Sequence, residues 1–576
     1  MYLIDSKQRI PGFHPPESNV ADATDVLNLT ASTADIANQI ATNIIDFDAV
    51  GDGLADDTVA IRDAFNSTDK YIFMPDGNYK VTDTINITAG GTAKHVKGNG
   101  NTVISVTLAT AVRLLDLDTN ISFENIIFDF NNSYCYQAMV YAESLGKISL
   151  KNVTIRNIKD IDSTTSSVLV IIPTHGNTLD IDGLNFINCL KRGNGNISDA
   201  GGNITGLYPS QQGTASGCNG VIRNVYVENM HCINASDVII LEDTSGIYIS
   251  TAYSGDASNL LIENVRGVDF GKRLIKIDAR NIDIKNVHGV NQYNDNLALI
   301  GTTSGVVTNG NITIDNCSAV GVFNIGLALV GDGFNVSNYY CNINRGGLSD
   351  AFGIIVGGKN IKIRDFDITS DRCIFLNNTV SLIENVSIKD GKLVTTSVAG
   401  AKPIHLPSTS FGFDNLVIEN IVTTCNDPTN IARTFFLPDG LTGVANKTGT
   451  RLVIKNIKVK GVATNVIPIT LSYITDAEID NISAYSSAGS IYRIVSANNC
   501  NRILVNNLKA FNTCAVGVLL TSCDYSKIDN IDVNSMTNCV TLVTSTNTEI
   551  KNVPVAKCTV DSGSTATTTK LLPVAW

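Results

Sequence analysis

Two short segments carry acids and bases from which sugar chemistry could be built. One reads Asp237-Val238-Ile239-Ile240-Leu241-Glu242-Asp243, the other Arg273-Leu274-Ile275-Lys276-Ile277-Asp278-Ala279-Arg280. Hydrolysis of a glycosidic bond takes two carboxyl groups, one protonated as acid and one acting as nucleophile or base. Crowding like charges raises the pKa of one of them, which a general acid requires. With the apolar residues facing inward, Ile239 falls over Ile275 and Leu241 over Ile277. Glu242 and Asp278 then stack on one outward face. Neighbouring strands about 4.8 Å apart approach the ~5–5.5 Å carboxyl spacing of retaining hydrolases. A diagonal pair through Asp243 or Asp237 approaches the ~6.5–9.5 Å of inverting ones. The expected catalytic residues are therefore Glu242 and Asp278, with Asp243 and Asp237 in reserve. The expected substrate contacts are Lys276, Arg273 and Arg280, with Tyr208, His231 and Tyr253 from the two long insertions nearby.

The same residues permit other readings. A lyase would abstract a proton beside a uronate, using Lys276, Arg280, His231 or Tyr253 as base. A glycan-binding adhesin would need no chemistry. Stacked carboxylates can also be purely structural. Asp332 and Asp350, near Gly-rich turns, are weaker candidates. No Gly-rich phosphate loop, Ser-His-Asp spacing or His/Cys metal set is convincing, so no cofactor or metal is expected.

The elements that must carry these residues are written in a repeat. A polar residue, then Asn, then an apolar residue recurs from end to end. Instances include Glu124-Asn125-Ile126, Lys151-Asn152-Val153, Glu263-Asn264-Val265, Lys455-Asn456-Ile457 and Lys551-Asn552-Val553. The mean spacing is about 28 residues, which is a solenoid period. Alternating triplets such as Ile312-Thr313-Ile314 predict short strands with one buried face. One such unit cannot bury its inner face alone; stacking does so. The expectation is an all-β, right-handed, single-stranded parallel β-helix. Asn suits its tight turns because it tolerates the left-handed conformation. The residue before it alternates in sign over Glu124, Lys151, Asp182, Arg223, Glu263, Lys285 and Asp315, and reads as a structural charge ladder.

The 576 residues carry a formal charge of −12, and 17% are charged. That balance argues against nucleic-acid binding. No apolar run approaches the ~18–20 residues of a membrane span. The thirteen cysteines, an odd number, show no CxxC spacing and read as reduced, buried thiols. The segment Met1 to Lys7 lacks the pattern of a secretory signal.

Asp46-Phe47-Asp48-Ala49-Val50-Gly51-Asp52-Gly53-Leu54-Ala55-Asp56-Asp57-Thr58-Val59-Ala60-Ile61, followed by Phe73-Met74-Pro75-Asp76-Gly77-Asn78-Tyr79, resembles the opening motif of the pectate-lyase-like β-helix superfamily. Asp48 stands where that family usually has Gly. The resemblance implies a short capping α-helix, here about Asp56 to Asn66, over the open end of the coil. Its acids are expected to form turns and caps. With the reduced cysteines and the Asn/Ser/Thr-rich repeat, the chain resembles a bacteriophage tailspike depolymerase over roughly residues 46–560. That resemblance implies a homotrimer in the virion, made in the host cytoplasm, that binds and cleaves bacterial surface polysaccharide. Residues 1–45 are expected to form an attachment or neck segment that joins the phage tail, and 561–576 a C-terminal tail. The alternation also predicts an apolar outward column, Ile494, Leu519 and Leu542 beyond Thr470, that would pack around a threefold axis.

Overall fold

The computed structural model describes residues 41–568, except 88–93, 110–112, 118–119, 134–136, 145–146, 161–165, 174–177, 193–203, 210–218, 234–235, 237–238, 241–243, 251–258, 293–297, 303–309, 346–350, 378–381, 397–399, 408–410, 427–432, 439–440, 443–447, 463–465 and 533–535. Strands dominate. Among the described residues there is one α-helix, Thr58–Asn66. Most strands pair in parallel with the strand one coil further along rather than with their immediate successor. Thus Thr178–Arg192 lies between Lys147–Asp160 and Asn219–Ile233. The chain is a parallel β-helix, with its core enclosed by the coil. One inward column runs through Leu207, Ile247, Ile275, Ile300 and Leu327, all fully buried and in register. Burying each such side chain contributes roughly 1.5–3 kcal/mol.

The recurrent Asn does what its chemistry suggests. Asn125, Asn152, Asn224, Asn264, Asn286 and Asn316 all have φ between 51° and 58°. Their amides join one coil to the next: Asn152 Nδ2 donates to Asn125 Oδ1 at 3.0 Å, Asn286 to Asn264 at 3.0 Å and Asn316 to Asn286 at 2.7 Å. Where Gly183 replaces Asn, Asn224 donates instead to Asp182. Asp332 belongs to a second ladder, accepting from Asn360 at 2.7 Å. It is a structural residue.

The charge column is also in register from Glu124 to Asp315. Its contacts are less regular. Arg223 meets Asp182 at 2.9 Å, but Glu124 turns to Lys97 at 2.8 Å and Lys151 reaches Asp180 at 3.9 Å. Lys97 beside Glu124, Lys147 beside Asp180, Arg451 beside Asp414 and Arg502 beside Asp476 hold those carboxyls below their ordinary range. A carboxyl whose folded pKa is depressed adds stability above its unfolded value and loses it as pH falls through the folded one. The melting temperature should therefore hold between pH 7 and 5 and fall below about pH 4. A melting temperature unchanged or higher at pH 3 would refute this account.

The opening motif works through its acids as turn formers. Asp57 accepts from Val50 N at 2.6 Å and Gly51 N at 3.3 Å, and Asp52 from Leu54 N and Ala55 N at 2.8 and 2.9 Å. Asp57 sits at the helix N-cap position, yet its side chain makes no cap bond to the helix. Asp48 adopts φ 67°, supplying the left-handed residue that Gly would otherwise provide. At Gly51, φ +69°, an added Cβ would lie 2.9 Å from the Tyr79 ring. Pairing exceeds both expected boundaries of the coil. Thr42–Asn43 pairs with Ile72 and Phe73, and Ala566–Thr568 with Thr548–Ile550. The expected neck before residue 41 and the last residues of the tail lie outside the described residues. The eleven cysteines described are free; ten are buried and Cys558 half-buried.

The apolar outward column is not there. Ile494 and Leu542 are fully buried. The outward column is Thr470, Ser496, Leu519 and Thr541. Strict alternation fails at one corner of the coil, where two successive residues face inward. Ile494 and Val495 do so here, as do Leu274 and Ile275. Counting by twos across that corner shifts the phase by one residue.

Candidate functional site

The strand Arg273–Asp278 presents the predicted cluster, and all six of its residues are buried. Its neighbour is Thr244–Ser250, in the register Ser245 to Arg273, Tyr248 to Lys276 and Ser250 to Asp278. This corrects the expected stack: Ser250, not Glu242, stands opposite Asp278. Ile239 and Ile240, expected to lie over Ile275 and Lys276, instead form a hairpin with Ile233 and Cys232, the one antiparallel pair among the described strands. The apolar triplet Ile247-Tyr248-Ile249 takes the place assigned to Ile239-Ile240-Leu241. Val238 to Leu241 is an unbroken apolar run that fits the inward phase in either register, so periodicity alone could not exclude it. Glu242, Asp243, Asp237 and Tyr253 lie outside the described residues.

The geometry around Tyr248 is specific. Its ring stacks on Tyr208, with centroids 5.0 Å apart and planes 16° from parallel. Lys276 Nζ lies 4.1 Å from the centroid of the same ring. The Tyr248 hydroxyl donates to Asp278 Oδ2 at 2.8 Å. Three successive coils thus contribute Tyr208, Tyr248 and the pair Lys276 and Asp278. Arg273 completes the row. A Cβ on Gly301, one coil further, would lie 3.4 Å from Arg273 Cδ and Nε, so the absent side chain leaves room for the guanidinium stem.

Lys276, Arg273, Asp278 and Tyr208 are therefore brought to one face. Arg280 lies two residues beyond Asp278, half-buried, in the turn before Ile282–Asn291. His231 is not a surface contact. It is fully buried, at the end of a strand whose residues Met230 to Ile233 are all buried. Tyr248 is the residue sequence reasoning passed over. Its signal was available: Tyr208 and Tyr248 each lie four residues into an apolar strand that follows a long insertion.

A carboxylate held by a phenol hydroxyl, with an ammonium on the phenol's ring face and a guanidinium beside it, can transfer protons and hold anionic or hydroxyl-rich groups. A separate recess of about 420 Å³ includes Asn259, Asn281, Asp283 and Asn311 in its lining. Asn311 donates to Asn281 there at 3.1 Å, so those amides serve the coil. Among the described residues, no group of three or more His, Cys, Asp or Glu side chains is placed to hold a metal ion. No helix among them is long and apolar enough to cross a membrane.

No protein-family model matches the chain, and no curated protein matches it. Solved structures do. ORF18 of Geobacillus virus E2 is 16% identical over 69% of this chain, which covers 64% of that one, at a TM-score of 0.29. The N-terminal fragment of bacteriophage Phi29 gene product 12 is 14% identical, with 89% of this chain and 95% of that one covered, at a TM-score of 0.38. The family 28 exopolygalacturonase of Yersinia enterocolitica is 10% identical, with 86% and 78% covered, at 0.29. These likenesses concern the fold alone.

Proposed function

We propose that this chain is a phage virion protein that binds and depolymerises a bacterial surface polysaccharide by glycoside hydrolysis at the Tyr248 site. The observation that carries the reading is the Tyr248 hydroxyl on Asp278, with Lys276 on the ring and Arg273 in the same strand. The phage setting and the homotrimer rest on the resemblance of the opening motif and repeat. In this proposal Asp278 is one catalytic carboxylate. The second, which hydrolysis requires, is to be sought among Asp237, Glu242 and Asp243. The observed register removes the neighbouring-coil argument for Glu242.

A second reading, β-elimination, draws on one specific feature. Tyr248 is a phenol between a carboxylate and an ammonium, and such a phenol could take the proton beside a uronate and pass it to Asp278. Products decide among the readings. The purified protein should clear lawns of a susceptible capsule type and release new reducing ends from the extracted polysaccharide without ultraviolet absorbance. Absorbance from an unsaturated sugar would replace hydrolysis with elimination. Binding with neither product would make the chain an adhesin.

A further inference from the structure

Another side of the coil presents a face of its own. One outward column runs through Tyr340, Asp367, Lys392 and Val422 to Lys458, Ser483 and Lys509. Two residues further along each strand, a second column leads from Val290 to Lys460 and Tyr485. Phe511 extends it, since its N–H donates to Ala484 O at 3.0 Å. Of the thirteen large apolar side chains exposed among the described residues, five fall on these two columns: Val290, Tyr340, Val422, Tyr485 and Phe511. Such residues scattered singly need no explanation, but their gathering on one face marks an interaction surface. The far end of this face is remote from the Tyr248 site. Lys458 stands seven coils beyond Arg266, which belongs to the coil that carries Lys276. At about 4.8 Å per coil that is roughly 34 Å along the axis.

Charge at that end is one-sided. Lysines elsewhere on the coil meet acids: Lys392 reaches Asp367 at 3.0 Å, Lys389 reaches Glu419 at 2.8 Å and Lys455 reaches Glu478 at 2.9 Å. Among the described residues, no carboxylate pairs with Lys458, Lys460 or Lys509. Lys458 and Lys460 are exposed two residues apart on one strand, and the exposed Lys509 lies two coils beyond Lys458. Lys509 Nζ is 4.9 Å from the ring centroid of Phe511. That ring is 60% exposed, and Tyr485, one coil before it, is 39% exposed. The nearest acids in the Lys458 column stand at either end of the patch. Asp367 is held by Lys392, and Asp532 follows one coil after Lys509.

We propose that Lys458, Lys460, Lys509, Tyr485 and Phe511 bind an acidic polysaccharide, the two rings taking the apolar faces of its sugars and the ammonium groups its carboxylates. Three cations that no described carboxylate neutralises make the patch complementary to an anion, although the chain as a whole carries a charge of −12. Ammonium–carboxylate hydrogen bonds are among the stronger ones. Aromatic rings add a large contact area at low conformational cost. Nucleic acid also offers flat rings and negative charge, but it carries a charge at every phosphate, which the acidic chain opposes. An acidic polysaccharide can space its carboxylates between uncharged sugars. That the occupant is a glycan rests on the polysaccharide-binding reading above; that the patch takes an anion does not.

Fluorescence anisotropy with the full chain tests this, using a labelled hyaluronan oligomer, a neutral chitin oligomer of equal length and single-stranded oligothymidylate of equal charge. The wild type should bind the hyaluronan oligomer at least about tenfold more tightly than the neutral one, the scale of one hydrogen bond to a charged group. Lys458→Gln/Lys460→Gln/Lys509→Gln, on three exposed side chains, should abolish that preference. Tyr485→Ser/Phe511→Ser should weaken both oligomers alike. The site is refuted by a wild type that does not discriminate, or by a preference that survives in the lysine variant. Oligothymidylate bound as tightly as hyaluronan would overturn the glycan assignment. Sedimentation checks for a second copy on the same face. A wild-type oligomer that Tyr485→Ser/Phe511→Ser converts to a monomer would make the face an interface between copies and overturn the proposal. A lysine-dependent preference without cleavage of any polysaccharide would support the site while counting against the depolymerase reading.

Discussion

Asp278→Asn should cut polysaccharide cleavage by at least ~10²-fold, the scale of general acid–base catalysis. The amide oxygen can still accept the Tyr248 hydroxyl, which now donates to Asp278 Oδ2 at 2.8 Å. Folding, binding and melting temperature should therefore stay near those of the wild type, and the loss should fall on turnover. Tyr248→Phe keeps the ring between Tyr208 and Lys276 and removes only the hydroxyl. Its expected loss is smaller, about tenfold, as for a hydrogen bond to a charged partner. Full activity in Asp278→Asn would move the chemistry off this strand. An Asp278→Asn chain that fails to fold would mark the carboxylate as structural. Asn or Gln at Asp237, Glu242 and Asp243 in turn should identify the second carboxylate. If none of the three lowers cleavage, hydrolysis by a pair within this region is wrong and elimination becomes the better account.

Ile494→Glu should prevent folding, whatever the oligomeric state. Ile494 is fully buried. A carboxylate there loses several kcal/mol to desolvation, and removing the aliphatic side chain costs a further ~2–5 kcal/mol. Leu519→Glu, on a half-exposed outward position, should cost about 1 kcal/mol or less. Limited proteolysis and thermal melting of the two variants separate the cases. Equal tolerance of both would contradict the observed phase. The contrast also bears on assembly. A chain with glutamate at Ile494 would fail for reasons of core burial, so only Leu519→Glu, read by sedimentation, reports on packing between copies.

The coil was legible in the sequence because its cause is local and repeated. Each Asn in a left-handed turn needs only its own side chain and the next coil's. Sixteen recurrences of one phrase overwhelm any ambiguity in a single strand. The opening motif was legible for a similar reason, since Asp52 and Asp57 bind backbone groups a few residues away. The register of the charge column followed, because a parallel pair that aligns the Asn aligns its predecessor too.

The site depended on something the repeat does not encode. Between Asn219–Ile233 and Leu260–Phe270 the chain offers two apolar segments, the unbroken run around Ile239 and the alternating one around Ile247. Only one can occupy the coil beside Arg273–Asp278. The strand Thr244–Ser250 takes it, setting Tyr248 beside Lys276 and Ser250 opposite Asp278. Likewise, alternation cannot see the corner where Leu274 and Ile275, or Ile494 and Val495, both turn inward. There the backbone bends, and the two-residue period that holds along a straight strand gives way. By itself the sequence determined the fold, the turn chemistry and the presence of Lys276, Arg273 and Asp278 on one strand. Which segment lies against that strand, and hence which side chain meets Asp278, was decided by tertiary packing, because two apolar segments compete for a single place in the stack.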